Sequence, residues 1–240
     1  MAAGFKTATV TAAEVPSTQT NFPAYVDLSR LGITTQAEAD SVRCYSDAAK
    51  TTELAREIVS VSEMHVKIPS LTSTFDIYVD WDGARADYAV TGPYGRNAVW
   101  SAYTAVYHLQ EDPSGTAPQI VDSTGTYDGT SAGSMTSGDL VAGQVGNAIA
   151  FDGVDDHITM SAMGISGAQN RTVSFWWKTT ATAIEYPVGW GTGASAGYFW
   201  SQTLESTKIG VRVNSGFRLF TFANTADGNW HHQSIQLDGT

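Results

Sequence analysis

Three carboxylates, Asp152, Asp155 and Asp156, stand within five residues of one another beside Gly153. Hard oxygen donors at that density suit Ca²⁺, which is held by carboxylates, carbonyls and water. The competing reading is a turn: Asp152 accepts hydrogen bonds from its own loop backbone while the other two are solvated. The histidines offer less. His231 and His232 are adjacent, so on a strand they point to opposite faces and cannot chelate one ion together. His108 and His157 lie in strand-like stretches, where one ring face packs and one nitrogen finds a hydrogen bond, and no spacing in the chain matches a zinc site. Glycoside hydrolysis needs two carboxylates facing each other roughly 5–9.5 Å apart. On one strand that means acidic residues at i and i+2, yet from residue 145 onward the glutamates are Glu185 and Glu205, neither with such a neighbour. There is no Gly-x-Ser-x-Gly elbow, phosphate-binding glycine loop or Cys–His pair, so catalysis is not expected. Stacking remains. Trp176, Trp177, Trp190, Tyr198, Trp200 and Trp230 are dense, and aromatics serve both sandwich cores and sugar-binding platforms. Trp177 and Trp230 are expected in the core. Trp190, within Val188-Gly-Trp-Gly-Thr-Gly193, sits among too many glycines to bury easily and is the candidate glycan-stacking residue.

Strands and turns must position these groups. Residues 145–160 read as two short strands around a tight turn: Ile149 and Phe151 alternate with Ala148 and Ala150, Asp152-Gly153 turns the chain, and Ile158 and Met160 resume the alternation. In 171–178, Val173, Phe175 and Trp177 lie on one face, with Ser174 and Trp176 on the other. Aromatics on both faces predict a strand covered on both sides. Further strands are predicted at 5–12, 22–28, 42–45, 57–61, 65–68, 75–81, 105–109, 186–189, 198–201, 208–213, 217–222 and 230–237, with one helical turn at 35–40. Pro23 falls near the start of its strand, where a missing donor is tolerated. Residues 110–147 are rich in Gly, Ser, Thr and Asp, with turns at Asp122 and Asp128-Gly129. So long a run without regular structure is unusual in a compact domain, so short strands are expected within it.

Phe151-Asp-Gly-Val-Asp-Asp-His-Ile158, Thr172-Val-Ser-Phe-Trp-Trp177 and Asp227-Gly-Asn-Trp-His-His232, in that order, resemble the laminin-G-like, concanavalin A-like jelly-roll family. The resemblance implies a jelly roll over 105–240. It also implies calcium at the sandwich rim, and a function among glycan-binding modules, adhesion modules and some glycosidases, so fold alone does not settle function. The hydrolases of that fold carry a carboxylate motif from which this chain departs. Where the family places apolar residues after its tryptophan, this chain has Gln233. Asn21-Phe-Pro-Ala-Tyr-Val-Asp-Leu28, Val66-Lys-Ile-Pro-Ser-Leu71 and Ile77-Tyr-Val-Asp-Trp81 resemble a small β-domain of unassigned function that precedes such modules in bacterial surface and phage proteins. Tyr94-Gly-Arg-Asn-Ala-Val-Trp100 into Val106-Tyr-His-Leu-Gln-Glu-Asp-Pro113 is similar to the junction in phage virion proteins of this architecture.

The chain of 240 residues is 42% hydrophobic and 15% charged, the profile of a turn-rich β protein rather than a disordered one. A net charge of −11 without a basic run argues against a nucleic-acid surface. Cys44 is the single cysteine, expected as a semi-buried thiol. The start lacks signal-peptide character and no stretch reaches transmembrane length, so no membrane insertion is expected. The expected architecture is all-β: an antiparallel sandwich over 1–92, a connection over 93–104 punctuated by Gly92-Pro93 and Gly95, and a jelly roll over 105–240 that looks C-terminally incomplete. The expected function is that of a non-catalytic structural or adhesive virion protein, assembled in the host cytoplasm, with a glycan- or surface-binding module. Its partners would be other virion subunits, copies of itself, a subunit or further chain covering the incomplete edge, and a host-surface glycan. Two alternatives stand: a secreted or surface-attached bacterial carbohydrate-binding protein, and a purely architectural capsid or tail subunit that binds no sugar.

Overall fold

The structure, a computed structural model, describes residues 3–11, 17–165, 169–191, 199–204, 208–213, 216–221 and 225–238. It is 8% helical and 42% strand, which places the chain in the all-β class. Every strand pairing among the described residues is antiparallel. Contacts divide the chain into Met1–Ser161 and Ala162–Thr240, so residues 93–104, expected as a connection between domains, lie inside the first unit.

In the first unit, β1 (Gly4–Val10), β2 (Gln19–Asp27), β3 (Arg43–Tyr45), β4 (Glu53–Leu54), β5 (Arg56–Ile58), β6 (Glu63–Leu71) and β7 (Phe75–Trp81) form two sheets, ordered β1-β7-β3-β4 and β2-β6-β5. Alternation decides which side chains go inward. Met64, Val66 and Ile68 of β6 and Ile77, Val79 and Trp81 of β7 are buried in one core with Ala24, Val26, Val42 and Cys44. Burying each of the larger aliphatic chains contributes about 2 kcal/mol. Cys44 Sγ lies 3.7 Å from Met64 Sδ, a contact that joins the two sheets. The thiol is fully buried rather than semi-buried, and loss of hydration pushes its pKa up to about 12. Pro23 falls in the middle of β2, opposite Lys67, and is accommodated because β2 is an edge strand.

Short helices close the ends of this core. In α1 (Leu28–Leu31), Asp27 caps the N-terminus by accepting from the Ser29 backbone, and Gly32, at φ 86°, ends it in the left-handed region. In α2 (Gln36–Asp40), Thr35 accepts from the Glu38 N–H while Glu38 Oε2 accepts from the Thr35 N–H, a reciprocal cap that matches the expected helical turn.

Further along the first unit come α3 (Arg96–Val99), β8 (Gly129–Ala132), a 3-10 turn (Ser137–Asp139), β9 (Leu140–Ala142), β10 (Asn147–Ile149) and β11 (His157–Met160). The hairpin expected over 145–160 is not formed. β10 pairs with β9 and β11 with β8, because each strand finds its partner upstream rather than across Asp152-Gly153. Residues 105–109 do not form a strand either. Tyr107 makes one isolated bridge to Asp122, and Leu109 has φ 57°.

The second unit contains β12 (Arg171–Trp177), β13 (Glu185–Trp190), β14 (Phe199–Leu204), β15 (Lys208–Val213), β16 (Gly216–Thr221) and β17 (His231–Leu237), in sheets ordered β12-β17 and β13-β14-β15-β16. Tyr198, Glu205 and Phe222 lie outside the described residues. β12 is covered on one side, not two. Trp177 is buried on one face and Trp176 is 47% exposed on the other. Gln233 stands on the more buried face of β17 opposite Phe175, itself half-buried.

Candidate functional site

Register brings the most concentrated chemistry together in the first unit. Glu57 of β5 lies directly opposite His65 of β6, and Glu63, two residues before His65, projects to the same face. This face points away from the core. Residues 96–123 cover it: Lys67 donates to the Ala98 carbonyl at 3.1 Å and to Ser101 Oγ at 2.8 Å, fastening the end of α3 to the sheet. Trp100 and His108 thereby descend onto His65, with ring centroids 5.2 and 4.9 Å away, and His108 stacks at 26° to it.

The polar atoms beneath are closely matched. Glu57 Oε2 accepts from Trp100 Nε1 and from His108 Nε2 at 3.0 Å, and Glu57 Oε1 accepts from Ser123 Oγ at 2.6 Å. Burial alone would raise the Glu57 pKa. The hydrogen bond and charge of His108, with Ser123 and Trp100, outweigh it and hold the carboxyl below the usual glutamate value. On the far side, Glu63 Oε1 lies 3.1 Å from His65 Nε2 and 3.7 Å from His108 Nδ1, and Glu63 Oε2 accepts from Gln110 Nε2 at 3.4 Å. Gly146, at φ 56°, passes so close that any Cβ there would overlap Gln110 Nε2 and Glu63 Oε2. A cavity of about 270 Å³ opens onto Glu57, His108, Gln110 and Ser123.

This arrangement is not a nucleophile relay. Ser123 donates to the Glu57 carboxylate instead of to an imidazole, and a carboxylate held below its usual pKa is too weak a base to activate a hydroxyl as a Ser–His pair does. His108 stands between the two glutamates, whereas glycoside hydrolysis needs them facing one another across the substrate. None of Glu57, Glu63 or His65 was singled out from the sequence. The legible signal was Glu63-x-His65, same-face spacing on a strand, but Glu57 and His108 join it through register and a covering segment.

The acidic loop is built as a turn. Asp152 Oδ1 accepts from the backbone N–H groups of Val154 (2.8 Å), Asp155 (3.3 Å) and Asp156 (3.4 Å), and these bonds hold its pKa below the usual aspartate value. Asp156 Oδ2 accepts from the Asp152 N–H at 3.0 Å. One oxygen from each of the three carboxylates lies within 4.8 Å of the others, so the structure does bring Asp152, Asp155 and Asp156 together.

In the second unit the exposed face of β12 and β17 carries Trp176, Ser174 and Thr172 opposite His232, Ser234 and Gln236. His232 lies 5.0 Å from the Trp176 ring and 2.8 Å, through Nε2, from Ser174 Oγ. Trp190 is not in a loop. It ends β13, half-buried, with the Arg171 guanidinium 5.6 Å above its ring. Trp230 is also half-buried, beneath the Lys178 ammonium at 5.0 Å. No protein-family model, no curated protein and no solved structure matches the chain.

Proposed function

We propose that this chain is a non-catalytic adhesive protein in which residues 105–240 form a laminin-G-like jelly roll that binds surface glycan through the exposed face of β12 and β17. One observation carries the reading. Trp176 is 47% exposed on a sheet face whose other exposed residues are hydroxyls, an amide and an imidazole. A sugar ring has an apolar C–H face and a hydroxyl edge, and this surface offers an indole for the first and hydrogen-bonding groups for the second. An exposed indole adds little to folding, so Trp176 is free to serve as a stacking surface. A virion setting rests on the resemblance of residues 94–113 to phage junctions. The acidic net charge of −11 suits a protein that avoids nucleic acid during assembly.

The test is retention of the purified chain on an array of bacterial surface polysaccharides. Wild type is retained, and Trp176→Ala weakens retention about tenfold, as expected for removal of one stacking anchor. The melting midpoint of the variant stays unchanged. Absence of retention on every polysaccharide would overturn the adhesive reading. A purely architectural role is then favoured, on a separate observation: Leu219 and Phe220 are 48% and 50% exposed on the edge strand β16.

A further inference from the structure

We propose that Glu63, His65 and His108 bind a divalent transition metal of the zinc class, with Glu57 orienting His108 from outside the coordination sphere. Spacing is the first argument. Glu63 Oε1 is 3.1 Å from His65 Nε2 and 3.7 Å from His108 Nδ1, and one donor atom from each of the three residues lies within 4.8 Å of the others. A tetrahedral ion with bonds of about 2.1 Å separates its ligands by about 3.4 Å, between the two observed distances. Two imidazole nitrogens and one carboxylate oxygen favour zinc, cobalt, nickel or copper over calcium or magnesium.

The hydrogen bonds supply the second argument. A carboxylate can only accept, so the contact between Glu57 Oε2 and His108 Nε2 places the ring proton on Nε2. In the neutral ring the Nδ1 lone pair then faces Glu63 Oε1, another acceptor, at 3.7 Å, and a cation between them resolves the conflict. A carboxylate behind a ligating histidine is the usual way to fix its tautomer and raise its basicity. Charge balance points the same way. Two largely buried carboxylates need two positive charges, and imidazolium rings stacked 4.9 Å apart would repel each other. One divalent ion supplies both charges.

Glu63 would bind through Oε1, the oxygen nearest both imidazoles, while Oε2 accepts from Gln110 at 3.4 Å. The cavity of about 270 Å³ borders Glu57, His108 and Gln110, so solvent reaches the edge of the cluster beside one of the three ligands. Bound there, the ion ties the covering segment to the outer face of β6.

The proposal is tested by stripping the purified full chain with chelator and titrating Co²⁺, then Zn²⁺. A visible Co²⁺ band should appear at one equivalent and be displaced by Zn²⁺. Free Zn²⁺ at about 100-fold above Kd should raise the first-unit midpoint by about 5 °C. Glu63→Gln and His65→Gln should each abolish the band, while Asp155→Ala keeps it. Should those variants fail to fold, proton NMR of the wild-type histidine rings decides. On Zn²⁺ addition His65 and His108 should shift, and His157, His231 and His232 should not. Absence of both band and ring shifts would overturn the proposal and leave the cluster a proton-bridged network. Shifts confined to the other three histidines, or a band lost in Asp155→Ala, would overturn it too.

Discussion

At the scale of single residues, the side chains that organise this protein are carboxylates satisfied by backbone. Asp122 is fully buried and accepts from the N–H groups of Val106 (2.9 Å), Thr124 (3.0 Å), Thr126 (3.2 Å) and Tyr127 (2.9 Å), as well as from the Thr124 hydroxyl. Burial works to raise its pKa, but these bonds prevail and hold it below the usual aspartate value. A depressed folded pKa means stability that is complete above the unfolded value, about 3.9, and is lost as pH falls through the folded value. Asp122→Asn lacks that contribution at every pH. Its first-unit midpoint should therefore lie below wild type at pH 7, and the gap should narrow as both are titrated from about pH 5 to about pH 2.5. A constant gap across that window would show that the Asp122 charge is not what orders residues 104–128. This residue was legible as a turn former from Asp122-Ser-Thr-Gly125, but its partner Val106 was not, because that bond spans the covering segment rather than the local turn.

At the scale of elements, what could be read from the sequence depended on how local the cause was. β7 and β15 occupy the predicted 75–81 and 208–213, since alternation over six or seven residues marks a half-buried strand wherever it pairs. Pairing partners are not encoded that way. β10 and β11 were read as one hairpin because Asp152-Gly153 is good turn chemistry, yet β9 and β8 compete for them and win. Residues 93–104, expected as a connection, lie inside the first unit for a related reason. Gly92-Pro93 and Gly95 do interrupt regular structure, but the chain beyond them folds back over β6 instead of leaving the unit. Arg56 ties α2 and residues 87–88 to β5. Its guanidinium is buried, donating from Nε to the Val42 carbonyl (3.1 Å) and from Nη2 to the Asp40 carbonyl at the end of α2 (2.8 Å), and Nη1 pairs with Asp87. The Tyr88 ring lies 4.8 Å away. Arg56→Met strands two carbonyls and one carboxylate and should cost about 3 kcal/mol in urea denaturation. Arg56→Lys, which keeps the charge but loses the planar fork, should recover less than half of that. Full recovery by lysine would mean that charge, not geometry, is what α2 and the 87–88 segment require.

At the scale of the whole molecule, the chain holds two separately packed units with unequal cores. In the first, one cluster includes Leu28, Ile33, Val42, Met64, Val66, Ile68, Leu71, Ile77 and Val79, all nearly inaccessible. Among the described residues of the second, the buried hydrophobics are Trp177, Ile209 and Val211, while Trp176, Ile184, Tyr186, Leu219 and Phe220 remain exposed. Apolar burial is the main favourable term in folding, and the described residues of the second unit supply less of it to set against chain entropy. Calorimetry of the intact chain should therefore show two transitions, the second unit melting first. The two proposals act on different transitions. Zn²⁺ should raise the upper one through Glu63, His65 and His108 and leave the lower unchanged, while a retained polysaccharide should raise the lower one through the Trp176 face. Trp176→Ala should remove the polysaccharide shift without touching the Zn²⁺ shift, and His65→Gln should do the reverse. A single transition that moves as one with either ligand would show that the units fold cooperatively. It would overturn the assignment of adhesion and metal binding to independent parts of the chain.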